Sequence, residues 1–286
     1  MWQIFKTILP SLSPALVLTV LAGCSQPEST SLQSLTSQVA STSTSSGSIA
    51  ATTLPERSAP ASTLVAANAH PPLVVSPTFH TSERMAGFSA DGSHFMYLES
   101  SRDTGAGIPK STLQVVNIAA NHCVQDGCKQ TQYGEADAGL EMAVAENSLL
   151  QLTWNLRQAL QLTPPAPGTK LAIVSRSHTL DGTETVTARL NNSNQVLKLR
   201  LRQQQLGSMD QGNIRTAMQL EVNDNGQWRS LDSLNHYREW VLGYSIRELR
   251  LSPDGQTVVV LVTATKPTFE GTLGTTLIQG FELQPQ

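Results

Sequence analysis

Acid–base or nucleophilic chemistry would have to come from a few serine, histidine and aspartate positions, and their spacing fits none of the usual arrangements. A nucleophile elbow places glycine two residues before and two residues after its serine. Gly87-Phe88-Ser89-Ala90-Asp91 and Gly243-Tyr244-Ser245-Ile246-Arg247 each have the first glycine and lack the second. The glycine-rich stretch Arg102 to Ser111 has the look of a phosphate loop. A Walker A loop, however, needs glycine just before its Lys-Ser pair and another five positions earlier, where this chain has Pro109 and Thr104. The six histidines, at 70, 80, 94, 122, 178 and 236, form no His-x-x-x-His pair. A hydrolytic site would need the fold to gather His94, Asp103 and Ser111. Turn and surface chemistry explain each of these more simply, so no catalytic residue, metal or cofactor is expected.

The most chemically specific residue is Cys24. Residues 1–23 carry one cation, Lys6, followed by an apolar run from Ile8 through Leu21, which is the layout of a secretory signal and too interrupted to span a bilayer. Leu21-Ala22-Gly23-Cys24 resembles the lipobox of bacterial lipoproteins. That resemblance implies cleavage after Gly23, a diacylglyceryl group on the Cys24 sulfur and firm anchoring through more than one acyl chain. Ser25 follows, which in two-membrane bacteria implies the outer membrane, facing the periplasm. Between Ser25 and Ala69, 19 of 45 residues are Ser or Thr, so residues 24–70 read as a lipidated cysteine and a disordered tether. An exported chain folds in an oxidising compartment, and Cys123 and Cys128 are the only other cysteines. They are expected to form a disulfide.

Residues 71–286 remain for one domain. Its expected class is mainly β: repeated antiparallel hairpins that permit a degenerate β-propeller-like arrangement, plus one long helix. Asp91-Gly92 and Asp254-Gly255 each precede a strand-like run, His94 to Leu98 and Thr257 to Val262, and the second run is apolar enough to be buried on both faces. Leu149, Leu152, Leu156 and Leu160 place a core stripe on a helix from Leu140 to Leu162, which Pro164-Pro165 stops. Hairpins are expected from Thr185 to Arg202 across Asn191 to Asn194, and from Met218 to Leu231 across Asp224-Asn225-Gly226. Lys198, Arg200 and Arg202 would form a basic ladder on the wet face of a strand. Loops are expected at Arg102 to Ser111 and at Lys266 to Gly271, before a last strand.

The Ser252-Pro253-Asp254-Gly255 grammar resembles the blade turn of TolB and WD40-like propellers, but no convincing copy is legible between the two ends, and a regular array would repeat every 40 to 50 residues or so. Four features in order are similar to a family of predicted secreted bacterial proteins defined only as a domain of unknown function. They are Phe88-Ser89-x-Asp91-Gly92, the Asp103 to Ser111 loop before Val115-Val116-Asn117-Ile118, Leu251-Ser252-Pro253-Asp254-Gly255, and Phe269-Glu270-Gly271. The similarity covers about Met85 to Leu283, with Ala90 and Lys110 departing from the family's habit. It implies an exported, mostly β domain and carries over no catalytic residue.

Residues 1–70 sum to zero charge, so the chain's formal charge of -3 rests on the domain, which excludes a nucleic-acid partner. An anchor, a leash and a β domain describe a non-catalytic envelope lipoprotein that binds an envelope protein or polymer. The expected contact loops carry Arg102, Asp103, Lys110, Phe269 and Glu270. The alternative is an envelope hydrolase, or a small-molecule-binding protein, whose site is assembled only in the fold.

Overall fold

A computed structural model describes residues 76–284 apart from 191–194, 210–211 and 224–225. Cys24, the signal and the tether lie outside the described residues, as do the turn residues Asn191 to Asn194, Asp224 and Asn225.

The valine run decides the architecture. Val258, Val259, Val260, Leu261 and Val262 are all fully buried, which a strand achieves only when both of its faces are covered. They belong to β15 (Thr257–Thr268), which lies between β14 (Gly243–Leu251) and β16 (Gly271–Glu282). Two short strands complete this sheet: β1 (Phe79–His80), parallel to β16, and β7 (Thr169–Lys170), against the far end of β14. Val258, Val260 and Val262 pack into one core and Val259 and Leu261 into another. The sheet is therefore the middle layer of a stack.

On one side stands the sheet of β8 (Ala172–His178), β9 (Glu184–Arg189), β10 (Val196–Leu206), β11 (Arg215–Asn223) and β12 (Trp228–Ser230), with β13 (Arg238–Glu239) also on β11. Its Leu197, Leu199 and Leu201 join the first core. On the other side stands the sheet of β2 (Ser82–Phe88), β3 (His94–Arg102) and β4 (Pro109–Asn117), with β5 (His122–Cys123) and β6 (Lys129–Gln130) both on β4. This sheet too is covered twice. Phe95 and Tyr97 of β3 face the middle sheet, while Met96 and Leu98 form a third core with Leu113, Val115, Leu149 and Leu162. The chain enters the two outer sheets before it builds most of the middle one.

The expected single helix is two: α1 (Met142–Leu152) and α2 (Trp154–Ala159). Thr153 separates them, its hydroxyl donating to the Leu149 carbonyl at 2.7 Å. The expected leucine stripe is buried in part: Leu149 lies in the third core and Leu160 packs against it, but the best-covered row is a different one. Ala145, Leu149, Thr153 and Arg157 recur every four residues and are buried, whereas Leu152 is 69 % exposed. The polar members are tolerated because Arg157 is satisfied locally, by the Leu150 carbonyl at 2.8 Å and by Thr153 Oγ1 at 3.3 Å.

One hairpin plan recurs in each sheet, and this corrects the reading that no copy of the Asp-Gly turn lies between the two ends. The third copy is Thr179-Leu180-Asp181-Gly182, with threonine in place of serine. In all three the glycine has positive φ: +69° at Gly92, +79° at Gly182 and +74° at Gly255. In all three the serine or threonine hydroxyl donates to the aspartate, which in turn accepts the backbone N–H two residues on. A bulge also interrupts the preceding strand five residues before each hydroxyl, at Arg84, Val174 and Arg247. The following strand begins ten residues after each bulge, at His94, Glu184 and Thr257. The units stack face to face, with the last in sequence in the middle.

Candidate functional site

The two expected contact loops are shorter than the sequence implied. Arg102 ends β3 and Lys110 already pairs in β4, so the first turn is residues 103–108. Lys266, Pro267 and Thr268 pair with Leu273, Thr272 and Gly271, which leaves Phe269-Glu270 as the second turn. Register persists there because the threonine-rich β15 and β16 keep complementary edges to their ends. Both turns follow the second strand of a repeated hairpin, and they meet. Arg102, Asp103, Thr104, Lys110, Thr268 and Phe269 line one cleft of about 360 Å³. Glu270 stays outside it on the exposed turn.

Within the cleft the charged groups are occupied by backbone carbonyls or by each other. Arg102 donates to three carbonyls, those of Gly107 at 2.7 Å, Ala138 at 3.1 Å and Leu140 at 2.8 Å, tying the first turn to the segment that leads into α1. Asp103 accepts the N–H groups of Gly105 at 3.1 Å and Ala106 at 3.0 Å, and pairs with Lys110 at 2.8 Å. Hydrogen bonding from Lys110 and the turn amides holds the Asp103 carboxyl down at about 2. Two groups are unspent. Phe269 is fully exposed, and the Thr268 hydroxyl is buried without a hydrogen-bond partner. A rigid polar cleft with an aromatic at its lip and an unsatisfied hydroxyl in its wall can grip a ligand by contact area and hydrogen bonding.

The conceivable hydrolytic set is not gathered. His94 begins β3 and Asp103 follows its end, so nine strand residues, roughly 25 to 30 Å, separate them. His94 Nδ1 contacts Ser93 Oγ at 2.7 Å within the first Asp-Gly turn, and Ser111 Oγ contacts Ser100 Oγ at 2.9 Å in the β3–β4 ladder. Among the described residues no group of three or more His, Cys, Asp or Glu is placed to hold a metal ion.

Cys123 and Cys128 are bonded, with Cα atoms 5.8 Å apart. The bridge closes the loop between β5 and β6, which pair with successive parts of β4 and so behave as one interrupted edge strand. The basic ladder is largely neutralised. Arg200 pairs with Glu221 at 2.6 Å and lies over the Trp228 ring at 4.5 Å, and Arg202 reaches the same carboxylate at 3.4 Å. Glu221 sits directly opposite Arg200 in the β10–β11 register, a pairing that can be found only once the hairpin is aligned. Sequence reading also missed Arg250, which is buried between Glu83 and Glu248 and joins the middle sheet to β2.

Residues 100–279 match the DUF2259 family, described as predicted secreted proteins, and the chain belongs to that family. The matched span includes both cleft turns and two of the three Asp-Gly turns, the first lying just before it. No curated protein matches the chain.

Proposed function

We propose that this member of the DUF2259 family is a non-catalytic, membrane-tethered module of the cell envelope that binds another envelope component, a protein or a polymer, through the cleft between its two turns. One observation carries the reading. Two turns from different sheets converge, their ionic groups lock the shape of the cleft, and Phe269 remains fully exposed beside it. A free surface aromatic on a preorganised frame is what a binding hot spot needs, because little ordering entropy is left to lose on association. Membership in a family of predicted secreted proteins supports export. The lipobox-like Leu21-Ala22-Gly23-Cys24 supports an anchor, outer-membrane and periplasm-facing where the cell has two membranes.

The test is chemical crosslinking in intact cells followed by recovery of the tagged full chain, comparing wild type with Phe269→Ser and Cys24→Ser. The expected outcome is one envelope component recovered by the wild type and lost with Phe269→Ser at unchanged melting temperature. Recovery of the same component by Phe269→Ser would remove the cleft from the interface. Cys24→Ser should leave the membrane fraction, and continued sedimentation with membranes would sink the anchor.

A further inference from the structure

A second cavity, of about 350 Å³, lies over the middle sheet where β14 has no neighbour on its outer edge. Its floor is Ser245 of β14 and Thr263 of β15, which face each other in register. One wall is the segment that leads into the domain, Ser76, Pro77 and His80. That segment lies so close to the sheet that a Cβ on Gly274 would come within 2.9 Å of Pro77 and 3.1 Å of the His80 ring. Arg176 and His178 reach the rim from β8.

No carboxylate lines this cavity, and two arginines do. Their situations differ. Arg176 is neutralised by the fully buried Glu184 and also donates to the Ile246 carbonyl at 2.7 Å. Arg247 makes no ion pair among the described residues. It donates to two uncharged hydroxyls, Tyr97 at 2.5 Å and Thr276 at 3.0 Å. Burial pushes the Tyr97 phenol up, so Tyr97 stays neutral at ordinary pH. Thr276 gives its own proton to Glu99 at 2.6 Å, which leaves its lone pairs for Arg247 and keeps that carboxylate one hydroxyl away from the cation. Arg247 is also the bulged residue of β14, and a bulge re-aims a side chain that the regular pleat would place elsewhere. The equivalent bulged arginine, Arg84, ends in a salt bridge with Glu146.

A cation held by neutral partners in a cavity lined with donors and free of carboxylates is suited to an anion. We propose that this cavity binds a small oxyanion-bearing ligand, a carboxylate or phosphate, with Arg247 as its charged anchor and Ser245 and Thr263 as hydroxyl contacts. Its volume is at the lower end of small-molecule sites, which suits a compact metabolite-sized anion rather than a polymer. The site is separate from the cleft at Phe269 and does not depend on it.

The test is isothermal titration of the full chain with inorganic phosphate, sulfate and succinate at constant ionic strength, with chloride as the reference. Saturable heat is expected for at least one of the three. Arg247→Gln should weaken it about tenfold or more, the scale of losing a charge-assisted hydrogen bond. Arg247→Lys should weaken it less, and Arg202→Gln, on the far sheet, should leave it unchanged. Should Arg247→Gln fail to fold, Ser245→Glu, which places a carboxylate on the floor, should abolish binding instead. A response to phosphate or sulfate without succinate assigns a tetrahedral anion, and the reverse assigns a carboxylate. No saturable heat from any probe, or unchanged affinity in the folded Arg247 and Ser245 variants, overturns the site.

Discussion

Arg250 shows how much a single buried ion can determine. Its side chain is buried, and Glu83 and Glu248 supply its compensation from two different sheets. Removing it leaves Glu83 without its cation and Glu248 with only Lys170. Arg250→Ala is expected to cost about 2 kcal/mol as read by urea denaturation, less than for a fully buried pair because Glu83 reaches solvent and Glu248 keeps Lys170 at 2.9 Å. Asp91 acts on a smaller scale and through pH. Hydrogen bonds from Ser89 and Ser93 bring its carboxyl from the ordinary 3.8 to about 2 in the folded chain. The contribution is therefore complete above pH 4 and disappears as pH falls through 2. Asp91→Asn should flatten the dependence of melting temperature on pH between 4 and 2, and an unchanged slope would show that the turn is not held by this charge.

The repeated hairpin is the unit at the scale of elements. Ala in place of Gly182 is expected to destabilise the domain by about 1 to 2 kcal/mol, as it should at Gly92 and Gly255, because each glycine sits in the left-handed region. A neutral Gly182→Ala would break the equivalence of the three units. The helices offer a companion test. Leu149→Ala should cost about 3 kcal/mol and Leu152→Ser close to nothing, whereas a shared stripe would make both costly. These elements also show what a sequence can display. The Asp-Gly turns at 91 and 254, the doubly buried valine strand, the hairpins and the disulfide were legible, because each follows from local chemistry or a short period. The turn at Asp181 was hidden by a threonine in place of serine and by a less apolar strand after it. The helix break was hidden because Thr153 continues the buried stripe while interrupting the backbone. Pairing across sheets, as in Arg250 with Glu83 or the meeting of the two cleft turns, depends on stacking order, which no local pattern encodes.

In the molecule as a whole, the middle sheet joins the two outer ones. The first and second cores each draw one side from β14 to β16 and the other from a different outer sheet. The cavity beside Arg247 and the cleft beside Phe269 both lie at the end of the middle sheet where β14 starts and β15 finishes. Mass spectrometry of exported protein without reductant should show Cys123 and Cys128 linked, and two free thiols there would place folding in a reducing compartment.

The burial of β15 on both faces also governs timing. A ribosome delivers both outer sheets before it delivers Gly243 to Glu282, and until then each presents an apolar face with nothing to cover it. The first and second cores thus cannot close before the last strands arrive, whereas the third, built from β3, β4, α1 and Leu162, is already complete by then. A chain truncated before Gly243 should accordingly be cut rapidly by protease under conditions in which the full chain resists.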